Sequence, residues 1–359
     1  MKTIVQIVQH LRPGGIETMA LDLHSFFHKQ GHESYIVSLE GNFETALSTW
    51  PRLNKYNQNI IFLDKPDKVS TFFLAKLIRL LKDLGTTVLH THHIGPLLYG
   101  GLAATFACPK VHIHTEHDAW HLENRHHRNL QKWILRVTRP VLVADAESVA
   151  NALHKFLKPR HLTVIRNGID TSKFIVGDLS GARQKLGLPQ DKKIIGCSGR
   201  LESLKGQKLL IQSLMHLPDT VHVALAGIGS YEETLCEETR LLGLSERVHF
   251  LGRIDDMPLF YQALDCFCLP SFKEGMPLSP LEAQSCGIPS IVTDVGGSKE
   301  SLCADTGSLI PPGNVMAIVD AVHQALTQPL TSSPRTFVQQ YGGIENMATA
   351  YSELHHSKT

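Results

Sequence analysis

The chain has 359 residues, 42% hydrophobic and 19% charged, with a net charge of +1. This is the profile of a globular protein with room for two domains, and it excludes a disordered chain or a strongly basic nucleic-acid binder. No apolar run is long enough to cross a bilayer, and the start has no signal-peptide pattern, so a cytoplasmic location is expected.

The seven cysteines are scattered with no Cys-x-x-Cys, which predicts reduced thiols buried in apolar surroundings at Cys197, Cys266, Cys268 and Cys286. The charge is uneven. Residues 1–165 hold 19 Lys/Arg against 13 Asp/Glu, whereas residues 166–359 hold 16 against 21. A mildly basic first half suits contact with an anionic membrane surface.

Thr3 to Val8 reads as a buried strand. A turn through Gly14-Gly15 follows, then a helix to about Gln30, ended by Gly31. Two glycines there allow close backbone approach, and the helix start offers N–H groups to an anion. Glu33 to Leu39 is a second strand, and residues 42–68 read as irregular. Phe73, Leu77, Leu81 and their neighbours repeat at helical spacing, with Lys76, Arg79 and Lys82 on the opposite face. A helix so patterned either packs on a sheet or lies on a membrane.

Two histidine-rich strands follow. The first, Thr86 to His93, ends in a Gly-Pro turn before a helix from Leu97 to Ala107; the second runs from Lys110 to Asp118. His112-x-His114-x-Glu116-His117 superficially resembles the ligand run of binuclear zinc hydrolases. Glu116 stands where that pattern has Asp, and such a site would leave the acidic block described below without a role, so no metal is expected. Residues 120–139 are basic and aromatic, yet carry no nucleic-acid recognition module. They suit a membrane-facing surface. A strand at Val141–Ala144, a helix from Glu147 and a strand at Leu162–Ile165 complete the first half.

After a turn at Arg166–Asp170 and a polar stretch with a short helix, Lys193 to Ser198 opens a second series of strands. Its exit, Gly199 to Gly206, holds Arg200 and Lys205, two cations able to converge on a phosphate. It is not a Walker A loop, and the later Gly227-x-Gly229 lacks the third glycine of a dinucleotide fingerprint. The strand at Val248 exits through Arg253 and Ile254. Asp265 to Pro270 is the next. Glu274 follows that strand, a Gly275-Met276-Pro277-Leu278 loop leads into a helix carrying Glu282, Gly287 caps it, and Ile288 to Thr293 is a returning strand. Carboxylates beyond strand ends suit a ligand rich in hydroxyls.

With seven residues between Glu274 and Glu282 in that strand–loop–helix–strand setting, this block resembles the Glu-x7-Glu signature of family-four retaining GT-B glycosyltransferases. The Gly-Arg-Leu-x3-Lys-Gly run at residues 199–206 and the Asn-Gly-x-Asp at 167–170 match the same family.

The resemblance implies an α/β fold of GT-B type, two Rossmann-like doubly wound domains facing across a cleft. It implies an N-terminal acceptor-side domain over residues 1–166, a C-terminal nucleotide-sugar domain over 167–335, and a C-terminal helix at 336–359 returning to the first. It places Arg200 and Lys205 on the donor diphosphate, Gly14 and Gly15 beside it, Glu274 and His117 (through its Thr-x-His) on the donor sugar, Glu282 on the ribose, and Arg253 and Ile254 at the base. Residues 275–278 are implied to line the donor.

The implied reaction moves a hexose from a nucleotide-diphosphate sugar, by family habit UDP-linked, to a polysaccharide, lipopolysaccharide or lipid-linked acceptor, with no cofactor and no metal. The enzyme would sit in the cytoplasm or peripherally at the inner membrane face. A nucleotide-sugar epimerase on the same architecture and a catalytically silent sugar-nucleotide binder are the competing readings.

Overall fold

The computed structural model describes residues 1–66 and 70–356. The chain divides into two compact units, one formed by residues 1–167 and 344–359, the other by residues 168–343.

The first unit alternates strands and helices: β1 (Thr3–Val8), α1 (Gly15–Lys29), β2 (Glu33–Ser38), α2 (Phe43–Thr49), β3 (Ile60–Phe62), α3 (Thr71–Asp83), β4 (Val88–His92), α4 (Ile94–Ala107), β5 (Val111–Glu116), α5 (Arg125–Thr138), β6 (Val141–Ala144), α6 (Glu147–Phe156) and β7 (Thr163–Val164). The seven strands form one parallel sheet in the order β3-β2-β1-β4-β5-β6-β7. Helical crossovers bury both faces of such a sheet, which explains its almost continuous apolar strands. The order reverses between β1 and β4, so the chain ends leaving those two strands border a topological switch point.

The second unit repeats the plan with α7 (Leu179–Leu186), β8 (Lys193–Ser198), α8 (Gln207–Ser213), β9 (Val221–Ala226), α9 (Glu232–Leu241), β10 (Val248–Phe250), α10 (Met257–Gln262), β11 (Cys266–Leu269), α11 (Ser279–Ser285), β12 (Ser290–Thr293), β13 (Ser308–Ile310), α12 (Val315–Thr327) and α13 (Pro334–Tyr341). Its six parallel strands run β10-β9-β8-β11-β12-β13, with the switch point between β8 and β11. The fold is thus α/β, two Rossmann-like doubly wound sheets. The last helix, α14 (Ile344–Leu354), belongs to the first unit. It packs on α1, and its buried Tyr351 hydroxyl meets Thr115 Oγ1 at 3.0 Å.

Several local expectations are corrected. Residues 42–66 are not irregular: Asn42 caps α2 by accepting from the Thr45 amide, and the three-residue β3 extends the sheet edge. Residues 67 and 68 of the same stretch lie outside the described residues. Gly95-Pro96 is no turn before a helix but the first turn of α4, where a missing proline N–H costs nothing. After β12 the chain makes one short 3-10 turn, Ser298–Ser301.

The segment 336–359 is not one returning helix. Its first part completes α13 in the second unit, held by Arg335, which donates to the carbonyls of Phe174, Ser285 and Thr171. Only the part from Ile344 joins the first unit, and residues 357–359 lie outside the described residues. The four cysteines expected to be buried are so, and burial pushes the Cys197 thiol up to about 12.

Candidate active site

In the second unit, four loops leave the carboxyl ends of β8, β9, β11 and β12 and are tied to one another by hydrogen bonds, Leu201 N donating to Ile228 O at 3.0 Å between the first two. Phe272 N donates to Leu204 O at 2.8 Å, Gly297 N to Gly275 O at 2.7 Å, and Thr293 Oγ1 to Ser271 O at 2.6 Å. Two glycines are required for this approach. Gly206 has φ +68 and Gly296 has φ +52, and a Cβ would overlap the carbonyl oxygen of Pro270 at the first and of Glu274 at the second. These contacts fix Lys205 and Glu274 relative to each other.

Lys205 Nζ lies 2.7 Å from Glu274 Oε1, and Ser271 Oγ donates to that same oxygen at 2.6 Å. Glu274 is buried and Lys205 half-buried. A cation, a carboxylate and a hydroxyl therefore converge at the β8/β11 switch point. Glu282, on the first turns of α11, is anchored separately. Tyr261 OH donates to Glu282 Oε2 at 2.6 Å and lies 2.9 Å from Ser198 Oγ, at the last residue of β8. Burial, then the Glu282 carboxylate, raises the Tyr261 hydroxyl well above its ordinary pKa. The tyrosine therefore keeps its proton and presents it to Glu282.

Arg200 is not brought onto this pair. Its exposed guanidinium bonds Glu202 Oε1 at 2.8 Å, a surface pair worth little. Arg253 lies 3.3 Å from Asp255, and Ile254 beside it is half-buried. In the 275–278 loop, Met276 and Leu278 are buried, while Gly275 and Pro277 are partly exposed.

In the first unit, Gly14 precedes α1, and a Cβ there would overlap the Glu17 carboxylate. Glu17, in the first turn, lies 3.2 Å from His10 Nδ1, so the start of α1 beside Gly14 and Gly15 already carries a carboxylate. His117 follows β5. It is buried, and both of its ring nitrogens have partners, Asp145 Oδ2 at 3.3 Å and His92 Nδ1 at 3.1 Å. Next to it, His93 holds φ +67 and ψ 168 after β4, a conformation nearly confined to glycine that costs about 1–3 kcal/mol.

The zinc-hydrolase-like run forms hydrogen bonds within the chain: His112 Nε2 and His114 Nδ1 both reach Thr91 Oγ1, and His114 Nε2 lies 2.8 Å from Glu116, which also receives Gln131. Among the described residues, no group of three His, Cys, Asp or Glu side chains has metal-holding geometry. Sequence reasoning missed Ser271, Tyr261, His92 and Asp145, all polar partners of the residues it singled out.

Two family models match the chain, one described as glycosyl transferases group 1 over residues 180–341 and one as glycosyltransferase family 4 over residues 13–173. The lipopolysaccharide core biosynthesis mannosyltransferase LpsB of Rhizobium meliloti is 34% identical over 209 residues, covering 55% of this chain and 58% of that protein. The UDP-Gal:alpha-D-GlcNAc-diphosphoundecaprenol alpha-1,3-galactosyltransferase of Escherichia coli is 30% identical over 244 residues, covering 63% and 62%. The chain thus spans less than two thirds of the length of the curated relatives it matches.

Among solved structures, Anabaena HepE in complex with UDP and glucose has a TM-score of 0.86 at 20% identity, covering 98% of this chain and 99% of that one. At that identity the likeness speaks to the fold, which is GT-B. The two family models meet near the junction between the units and together account for most of the sequence. The chain belongs to the glycosyltransferases that these two models describe.

Proposed function

We propose that the chain is a retaining glycosyltransferase that moves a hexose from a UDP-linked donor to a hydroxyl of a glycan, lipopolysaccharide or lipid-linked acceptor. The observation that carries this reading is the Lys205–Glu274–Ser271 cluster at the β8/β11 switch point, with the Tyr261-anchored Glu282 on the adjoining helix. A crevice beyond strand ends at a switch point is where open α/β sheets take ligands.

Lys205 holds the donor diphosphate and stabilises the charge it gains on leaving. Arg200 joins it by giving up its weak pair with Glu202. Glu274 accepts from sugar hydroxyls and Glu282 from the ribose, while Arg253, Ile254 and residues 275–278 line the base and phosphate. In the first unit, the residues proposed for ligand contact are His117, toward a sugar hydroxyl, and the turn at Gly14 and Gly15, toward a phosphate. The bond from sugar C1 to the diphosphate oxygen breaks, the acceptor oxygen bonds C1 from the same face, and the acceptor proton passes to the departing diphosphate. No metal or cofactor is assigned a step.

The names of the relatives support the acceptor class, since one acts in lipopolysaccharide core synthesis and another on a diphosphoundecaprenol-linked sugar. A lipid-linked acceptor fits a cytoplasmic enzyme that rests on the inner membrane face. The described residues contain no helix long and apolar enough to cross a membrane. Helix α3, one sequence candidate for a lipid surface, buries Phe73, Leu77 and Leu81 in the core. The basic segment at 120–139 fits better. On α5, Leu130, Trp133 and Val137 form an exposed stripe at helical spacing, flanked by Arg125, Lys132 and Arg136, and the helix carries no acidic residue.

The reading is tested by incubating the protein with UDP-glucose or UDP-galactose and lipid-linked acceptors. Release of UDP together with an α-linked product supports it. Inverted product configuration, or isomerised sugar formed without acceptor, contradicts it.

A further inference from the structure

A chain of buried side chains runs across five adjacent strands of the first unit. From β1 to the exit of β7 it comprises Gln6, His92, His117, Asp145 and Asn167, following the sheet order β1-β4-β5-β6-β7. Gln6 Nε2 donates to Ala20 O at 2.9 Å, His92 Nε2 lies 3.3 Å from Gln6 Oε1, and Asn167 Nδ2 donates to Asp145 Oδ2 at 3.0 Å.

The direction of every proton follows from one fixed end. Ala20 O is a backbone carbonyl and can only accept, so the Gln6 amide nitrogen faces it and Gln6 Oε1 faces His92. His92 Nε2 must then carry hydrogen. Burial, followed by the neighbouring histidines, pushes the His92 imidazolium well below its ordinary pKa, so the ring is neutral and Nδ1 is a bare acceptor. His117 Nε2, 3.1 Å away, must donate to it. The other tautomer of His117, with hydrogen only on Nδ1, would set two lone pairs against each other at that contact. At the remaining contact, 3.3 Å between His117 Nδ1 and Asp145 Oδ2, one proton lies between the two atoms.

We propose that Asp145 is a positioning residue for His117: with His92 it holds the ring with Nε2 protonated, sharing one proton across the Nδ1–Oδ2 contact. The one hydrogen on Nε2 is given to His92, so a sugar oxygen takes it only in place of His92 Nδ1. The proposal rests on the functional reading of His117 for its consequence in catalysis, but not for its geometry. It also differs from the serine-hydrolase arrangement, where the carboxylate selects hydrogen on Nδ1 and an amide in its place imposes the wrong tautomer. Both contacts of Asp145 fall on Oδ2, so an amide at position 145 keeps the tautomer that His92 requires by placing its Nδ2 there, giving one hydrogen to His117 Nδ1 and the other to Asn167 Oδ1 once the Asn167 amide turns over.

The test has two arms. In the intact protein, long-range proton–nitrogen NMR of the histidine rings should show His92 with bare Nδ1 and protonated Nε2, and His117 with protonated Nε2. A protonated Nδ1 on His92 overturns the proposal. In sugar-transfer assays, Asp145→Ala should lower kcat by roughly 10- to 100-fold, by analogy with outer-shell partners of metal-bound histidines. Asp145→Asn should recover most of that loss.

Adding Asp145→Ala to His117→Ala should cost nothing further, because it acts through that ring. Equal loss in the Asn and Ala variants, or additive loss in the double variant, overturns the proposal. If the wild-type protein transfers no sugar, the functional reading fails while the NMR arm still decides the geometry. If Asp145→Ala does not fold, Asp145→Asn and the NMR arm decide it.

Discussion

Lys205 Nζ sits 2.7 Å from Glu274 Oε1, joining two loops that are 69 residues apart in sequence. The contact links the exit of β8 to the exit of β11 across the switch point of the second sheet. It places opposite charges side by side where a ligand carrying both phosphate and hydroxyl groups can address each.

Replacing either partner should therefore abolish turnover without unfolding the unit. Lys205→Ala removes the cation assigned to the departing diphosphate, and a loss of about 10²–10³-fold in kcat is expected. Glu274→Gln keeps the shape and the Ser271 contact but removes the charge, and should also lower turnover strongly. Steady-state kinetics on variants with native circular dichroism check this. Near-normal turnover in either variant contradicts the assignment.

Tyr261→Phe deletes the hydroxyl bonded to Glu282 and lying beside Ser198. Buried Ser198 and half-buried Glu282 each lose a bond, which should cost about 1–3 kcal/mol of stability. If Glu282 reads the ribose, KM for the donor should rise more than kcat falls. Urea unfolding and donor titrations separate the two effects, and an unchanged KM would remove Glu282 from the ribose role.

Gly296→Ala should move Glu274 through the backbone. The added Cβ overlaps the Glu274 carbonyl oxygen at a position with φ +52, where a side chain is already disfavoured. A stability loss of about 1–3 kcal/mol with a larger loss of activity is expected. A variant with wild-type kinetics would show that the loop packing does not control the site.

Acid should destabilise the first unit through its buried histidines. Burial lowers His24, His93 and His355 to about 4 and His112 to about 3, and pushes His90 and His92 well below their ordinary value of 6.5. The unfolded chain therefore takes up protons that the folded one refuses, and stability present above pH 6.5 is lost as pH falls toward 4. His121 has the opposite sign. Burial lowers its pKa, but Asp118 and Glu116 outweigh that and raise it to about 9, so its contribution is full below 6.5 and fades as pH rises through 9. Melting curves at pH 7.5 and 5.0 should show a clear drop in Tm at the lower value. An equal Tm would contradict the burial of these rings.

Membrane contact through α5 should depend on both its charge and its apolar stripe. The protein should co-sediment with phosphatidylglycerol vesicles and not with phosphatidylcholine vesicles, and the binding should weaken in high salt. Lys132→Glu with Arg136→Glu should abolish it, and Trp133→Ala should weaken it. Equal binding by the charge-reversed protein would contradict this surface.

The fold and the second-unit cluster were legible because their signals are local. Each strand of that sheet is a short apolar run, and Lys205, Glu274 and Glu282 fall at strand exits or one turn into the next helix, whereas Arg200, read the same way, points to Glu202 instead. The partners of those residues were not legible. Tyr261 comes from the helix before β11 and reaches Glu282 only after the sheet forms, while Gln6, His92, Asp145 and Asn167 lie on separate strands or their exits. No periodicity reports such long-range pairing. Strand β3 escaped notice because three residues at a sheet edge leave almost no pattern, and the start of α4 because Gly95-Pro96 reads as a turn in isolation.

The central claim is that the second unit binds a nucleotide-diphosphate sugar through Lys205, Glu274 and Glu282. The most direct measurement is thermal-shift binding of UDP-, GDP- and ADP-sugars and NAD to the wild-type protein and to Lys205→Ala, with and without EDTA. A ligand that binds only the folded state adds about 2.7 kcal/mol at one hundred times its Kd. The account predicts a rise in Tm with a UDP-sugar, unchanged by EDTA and lost in the variant. A shift with NAD alone, or a UDP-sugar shift that survives in Lys205→Ala, would contradict it.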